Sequence, residues 1–253
     1  MDPHPVALVT GSGKQRVGWH VAKLLAQRGY ALAIHYRTSK AEAVETVAEM
    51  NGQNVPAESF QADLRDEQQV DELIKQVVAR FGRIDVLVNC AAIWQRKSLE
   101  AVTADDVRRH FEINTLGTFL CCRQAGLVMV SQSDGGAIVN LGDWATARPY
   151  LDYAAYFPSK GAVEALTRSL AVELAARNPR VRVNCILPGP VMLPPDLPPA
   201  ERQQAIDATL VQREGRPENV AQAALHLIEN DFLTGVCLPV DGGRTIFAGD
   251  CHR

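Results

Sequence analysis

Two hydrophobic periods alternate along this chain, and that alternation limits its fold more than any other feature. Short apolar runs bounded by turn residues occur at 6–10, 31–36, 55–61, 84–89, 136–141, 180–187 and 236–240. Stretches of helical period separate them at 17–28, 40–51, 67–81, 103–131, 153–177 and 217–229. Strands joined by helices must pair in parallel, and a parallel sheet has to be covered on both faces. The expected fold is therefore α/β: three layers, doubly wound, with a seven-stranded parallel sheet. One domain spanning 1–253 accounts for the whole pattern, since no repeat or linker interrupts it.

Composition narrows the function. Hydrophobic residues make up 47% and charged residues 22%, which places the chain with globular proteins and away from disordered or fibrous ones. A net charge of -3 without runs of like charge argues against nucleic acid and anionic membrane as partners. Cys90, Cys121, Cys122, Cys185, Cys237 and Cys251 are scattered and form no C-x-x-C pair. They read as reduced thiols in a cytoplasmic protein, with no metal site. The segment Pro188-Gly189-Pro190-Val191-Met192-Leu193-Pro194-Pro195 and onward to Pro199 is too proline-rich for a helix interior and too apolar for a solvated linker. It reads as a loop that covers a site, extending over about 188–212.

The first strand runs into Thr10-Gly11-Ser12-Gly13-Lys14-Gln15-Arg16-Val17-Gly18 and then a helix. Small residues here let backbone N–H groups approach a pyrophosphate at the helix N-terminus. The glycine spacing is neither G-x-G-x-x-G nor a phosphate-loop pattern, so a plain strand-to-helix turn is an equal reading of this feature alone. The second strand ends His35-Tyr36-Arg37-Thr38-Ser39, with no acid to bind ribose hydroxyls. A cation and hydroxyls stand where a 2′-phosphate would lie, with Lys14 and Arg16 adding charge, and this favours NADPH over NADH. Asp63, before Leu64, is a candidate acceptor for an adenine amino group, and Asn89-Cys90-Ala91-Ala92 offers small residues beside a cofactor. Each also fits a cap or tight turn.

Further on, Gly142-Asp143-Trp144 follows the fifth strand, and Tyr156-Phe157-Pro158-Ser159-Lys160 opens a long helix. Tyr156 and Lys160, four positions apart, share a helix face. An ammonium beside a phenol lowers its pKa from about 10, which would make Tyr156 a usable general acid.

Taken in order, the Thr10-Gly11 turn, Asn89-Cys90-Ala91-Ala92, Asn114, Tyr156 with Lys160, Pro188-Gly189 and Pro239-Val240-Asp241-Gly242-Gly243 resemble the short-chain dehydrogenase/reductase family over essentially the whole chain. The resemblance implies a Rossmann-like domain, usually tetrameric, that uses a nicotinamide cofactor. It makes Tyr156 the acid, Lys160 its partner, and Asn114 a support for a water relay to the lysine. The nucleotide would meet Gly11, Ser12, Lys14, Arg16, Val17, Tyr36, Arg37, Ser39, Asp63, Leu64, Asn89, Ala91, Tyr156, Lys160, Pro188 and Gly189.

Asp143 stands where the family usually has serine, thirteen residues before the tyrosine. With Arg16, the His35-Tyr36-x-x-Ser39 strand end and Trp94, this looks like the pteridine reductase branch. That likeness implies that Asp143 joins Tyr156 in proton supply and that Trp94 stacks a pterin, with Arg16 at the substrate edge. The expected reaction is NADPH-dependent reduction of a dihydropterin, or of dihydrofolate, to the tetrahydro form. A carbonyl reductase, for instance of 3-oxoacyl thioesters, is the alternative within the same chemistry; an NADP-binding regulator without activity is the alternative outside it. Ala92, where serine is common, the order Arg37-Thr38 and a first turn longer by one residue depart from the branch.

Overall fold

The computed structural model describes residues 4–52 and 55–247, so Cys251 lies outside the described residues. Seven strands, β1 (Val6–Thr10), β2 (Ala31–Tyr36), β3 (Ala57–Gln61), β4 (Val86–Asn89), β5 (Gly136–Leu141), β6 (Val181–Pro188) and β7 (Cys237–Val240), form one sheet in the order β3-β2-β1-β4-β5-β6-β7. Every pair is parallel. All of β1 is buried, with Ala7 and Val9 in one core and Val6 and Leu8 in the other. That is the two-faced burial a central parallel strand requires.

On one face lie α1 (Val17–Gln27), α2 (Lys40–Asn51) and α8 (Pro217–Glu229). On the other lie α3 (Glu67–Phe81), α5 (Gly117–Val130) and α6 (Tyr156–Ala175). The local logic is plain in α3: Val70, Leu73, Ile74, Val77 and Phe81 recur at helical spacing and are buried. Asp66 caps its start through the Gln68 and Gln69 N–H groups, and Gly82, at φ 82°, ends it. Losing that N-cap to alanine would cost about 1 kcal/mol.

Two expectations need correction. The stretch 103–131 is not one α-helix: α4 (Ala104–His110) and α5 are joined by a π-helical turn, Phe111–Leu116, that carries Asn114. The covering segment is not all loop either, because it contains α7 (Pro199–Asp207), with Pro199 in the first turn where its missing N–H costs nothing. The third strand starts at Ala57 rather than 55, and the sixth helix at Tyr156 rather than 153.

Candidate active site

The strand order reverses direction between β1 and β4, and such a point opens a crevice at the carboxyl ends of the strands. Thr10 Oγ1 closes its floor by accepting from the N–H groups of Cys90, 3.0 Å, and Ala91, 3.2 Å. Gly11 has φ 65°, and a Cβ there would stand 2.9 Å from the Ala91 Cα, so only glycine passes.

The chemistry-bearing groups gather where β5 meets α6. At Gly142 a Cβ would lie 2.6 Å from Leu187 Cδ2, so glycine lets β5 turn tightly against β6. Asp143 follows with extended backbone and uses its two oxygens differently. Its Oδ1 accepts from Ala145 N, 2.8 Å, and caps the short turn Trp144–Thr146, whereas Oδ2 accepts from the Tyr156 hydroxyl, 2.8 Å. One carboxyl thus both caps the turn and accepts the tyrosine's hydrogen bond. Burial pushes the Asp143 carboxyl above its ordinary range, against the hydrogen bonds from Ala145 and Tyr156 and the attraction of Lys160.

Lys160 does not do what the four-residue spacing suggested. It is buried, and its Nζ donates to Leu141 O at 2.7 Å. Burial lowers its pKa, while the Asp143 charge opposes that shift. Tyr156, only 5% exposed, is raised well above 10 by burial and then by Asp143, the opposite direction to the lowering by Lys160 that the sequence led us to expect.

Asn114 reaches Ile93 and α6 rather than Lys160. Its Oδ1 accepts from Ile93 N, and its Nδ2 donates to Ile93 O and Ser159 Oγ, at 2.8, 3.0 and 3.0 Å. The π turn places that amide between the β4 loop and α6, a use of the extra residue common at functional sites. His110, not singled out from sequence, is buried, its ring centre 6.1 Å from that of Tyr156 and the two rings edge to face.

At the nucleotide end, α1 begins at Arg16 without a side-chain cap and without an acid in its first turn, which leaves its N-terminal N–H groups suited to an anion. His35 is scaffold: Nδ1 accepts from Gly11 N, so Nε2–H donates to Ala62 O, and burial lowers its pKa to about 4. Ser12 is buried and ties its hydroxyl to Val9 O, so that hydroxyl serves the turn rather than a phosphate. Lys14 pairs with Glu42 at 3.3 Å, and Arg37 and Ser39 stand at the β2 end, with Ser39 starting α2 without capping it. Asp63 is held by Arg65 through Nε and Nη2, with Arg37 at 4.0 Å. Arg65, missed in the sequence, adds a second cation beside Arg37. Asn89 turns into the sheet, where its Nδ2 donates to Asn140 Oδ1, 2.9 Å, and Cys122 Sγ. Tyr36 and Leu64 are buried, Gly117 fitting closely against Leu64. Gly189 packs on Asp241, where a Cβ would lie 2.5 Å from its Cα, and Pro188 pairs with Val240 in the sheet.

A family profile described as enoyl-(acyl carrier protein) reductase matches residues 12–245. The uncharacterized oxidoreductase YgfF of Escherichia coli is 34% identical over 94% of this chain and 99% of its own. The chain belongs to the short-chain dehydrogenase/reductase family. Carbonyl reductase family member 4 of Xenopus tropicalis is 33% identical over 91% of this chain and 94% of its own. A blue fluorescent protein from a metagenomic library, solved in complex with NADPH, superposes with a TM-score of 0.86 at 32% identity, covering 96% of this chain and 99% of that one.

As a short-chain reductase, the chain is an oxidoreductase with the seven-stranded Rossmann-like sheet. The relatives named above carry carbonyl and general oxidoreductase names, and they lend no support to the narrower pteridine reductase likeness. Of the residues behind that likeness, Asp143 and Tyr156 touch. Trp94 joins them through aromatic contacts: it stacks on Tyr153, centroids 5.0 Å apart and planes 7° apart, and Tyr153 meets Tyr156 edge-on. Trp94 remains 42% exposed. Arg16 is exposed at the α1 N-terminus and has no contact with that group. Arg96 ties α7 to the turn at Asp152, pairing with Asp152 at 3.1 Å and with Glu201 of α7 at 3.5 Å.

Proposed function

We propose that this protein is an NADPH-dependent reductase that reduces a C=N bond of a pterin-type ring. The observation that carries the reading is the hydrogen bond from Tyr156 to Asp143. The bound nicotinamide supplies hydride to a ring carbon. The neighbouring nitrogen must then gain a proton, and a phenol bonded to a carboxyl whose proton affinity burial raises can give one. Lys160 opposes the negative charge left on the pair, and a proton taken up from solvent restores it after each turnover. Trp94, carried by the wall it forms with Tyr153, offers an aromatic face for a flat, nitrogen-rich ring. Arg37, with Arg65 beside it and Ser39 following, meets the 2′-phosphate of the nucleotide, while the uncapped start of α1 meets the pyrophosphate. Asn114 orders the β4 loop against α6 and, through it, the solvent near Lys160.

A second reading, reduction of a C=O group, is favoured by the names of the relatives. It leaves Tyr156 as the donor but asks Asp143 to bond a carbonyl oxygen, which only its protonated form can do. NADPH oxidation measured with dihydrobiopterin, dihydrofolate, dihydromonapterin and several ketones separates the two. Turnover of the pterins above that of the ketones supports the first; rates confined to ketones refute it.

The proposed assembly is a homotetramer. Leu116 at the end of the π turn, Phe119 and Leu127 on α5, and Val172 on α6 leave apolar surface uncovered, and pairing these helices between copies would cover it.

A further inference from the structure

A cavity of about 200 Å³ opens between the turn that follows Asp143 and the segment after β7, lined among others by Trp144, Arg148, Tyr150, Ala208 and Arg244. Two guanidinium groups meet there. Arg244 lies over the Trp144 indole, 4.6 Å from the ring centre, and its Nη1 donates to Ala205 O. Arg148 donates through Nη1 to the carbonyls of Arg244, 3.0 Å, and Phe247. These are neutral partners, and among the described residues neither arginine forms an ion pair with a carboxylate. Asp241, the acid whose charge reaches Arg244, has its oxygens committed to Gly243 N and Thr245 N. Burial, and also the like charge of Arg148, pull the Arg244 guanidinium down against the opposing charges of Tyr150 and Asp241.

Arg244 is half-buried and Arg148 exposed, their like charges repel, and each guanidinium has five N–H donors of which few are used here, so an anion between them would be favoured. The position of the cavity says where that anion comes from. Trp144 adjoins Asp143, and Tyr150 packs on Trp144 and Phe157, in the aromatic cluster around Tyr156. We infer that Arg148 and Arg244 form a subsite for a carboxylate or phosphate group carried by the substrate beyond its reacting ring or carbonyl. This rests on the reductase reading above only in placing the reacting atoms over Asp143 and Tyr156.

Matched substrates test it: dihydrofolate, with carboxylates on its side chain, against dihydrobiopterin, without them, and a keto acid against the corresponding neutral ketone. The charged member of the pair that turns over should have a kcat/KM at least about tenfold higher, the scale of one charge-assisted contact. In Arg148→Gln and Arg244→Gln that ratio should fall towards one, and Arg148→Lys should retain part of it. A ratio taken within one variant cancels any loss of folded protein. A ratio near one in the unchanged enzyme, or a ratio unmoved by both glutamine variants, overturns the subsite. Preference for the charged ketone with no pterin turnover leaves the subsite standing and removes the pterin reading. Equal use of charged and neutral pterins does the reverse. In parallel, labelling with phenylglyoxal, read residue by residue by mass spectrometry, should slow at both arginines when succinate or inorganic phosphate is added. The more protective of the two identifies the group, and labelling unchanged by either refutes the subsite without reference to activity.

Discussion

Replacing Asp143 by asparagine keeps the shape of the side chain and takes away its titrating carboxyl. The amide oxygen still accepts from Ala145 N, so the turn Trp144–Thr146 keeps its cap, and the Tyr156 hydroxyl rotates to accept from the amide nitrogen instead of donating to Oδ2. Two effects of opposite sign follow. Catalysis by a positioned acid contributes 10²-fold or more, so kcat/KM for a dihydropterin should fall by at least about two decades, roughly 2.7 kcal/mol of barrier. Stability should move the other way. Burial outweighs the hydrogen bonds that favour the charged Asp143, so the folded state holds this proton more tightly than the unfolded chain does. A raised carboxyl makes stability fall as pH climbs from the ordinary carboxylate range, about 4, through the folded value. The asparagine variant lacks that loss, and its advantage over the natural protein should widen across this interval and then level off. NADPH absorbance followed from acid to alkaline pH, with chemical denaturation at the same pH values, reads both effects. The reasoning fails if the variant keeps its pterin kinetics and pH profile, or if it becomes less stable at neutral pH.

Other outcomes can be checked in the same way. Arg37→Asp should reverse or abolish a preference for NADPH over NADH, since each lost charge-assisted contact to phosphate is worth about 1.5 to 3 kcal/mol; equal use of both cofactors by the unchanged protein refutes the strand-end argument. His35, lowered by burial from 6.5 to about 4, must release its proton on folding, so stability should decline by on the order of 3 kcal/mol as pH falls from 6.5 to about 4. His35→Gln, able to accept from Gly11 and donate to Ala62, should flatten that decline in thermal melts, and an unchanged slope would assign it to other groups. Light scattering at micromolar concentration should give a tetrameric mass, whereas a monomeric mass removes the proposed pairing of α5 and α6.

The central strands could be read from sequence because each is buried by the pattern that defines it: Val6–Thr10 is buried along its whole length, as a central parallel strand must be. The break between α4 and α5 could not. No proline or glycine cluster marks it, and the π turn at Asn114 is accompanied by bonds to Ile93, distant in sequence. Helix α7 was hidden by flanking prolines that also suit a loop, and its composition lacks an apolar stripe, none of its residues being buried. Asp143 and Tyr156 stood out as a pair through their thirteen-residue spacing. The direction of the tyrosine pKa did not, because it depends on how deep the ring lies and where Lys160 points, and neither is written in a four-residue interval. Asp63 was legible as an acid at a strand end but not as the partner of Arg65, two residues away, since an exposed arginine there has many possible neighbours.

The single hydroxyl of Thr10 that holds the Cys90 and Ala91 N–H groups joins points 80 and 81 residues apart. During synthesis, the glycine turn is therefore complete as a peptide long before it can be a crevice, and the second wall arrives only with the fourth strand. Until then β1, apolar on both sides, has β2 for company and an open edge towards the absent neighbour. The nucleotide half of this protein is a late product of its own assembly, and a ligand that grips it acts on chains whose first ninety or so residues have already come together.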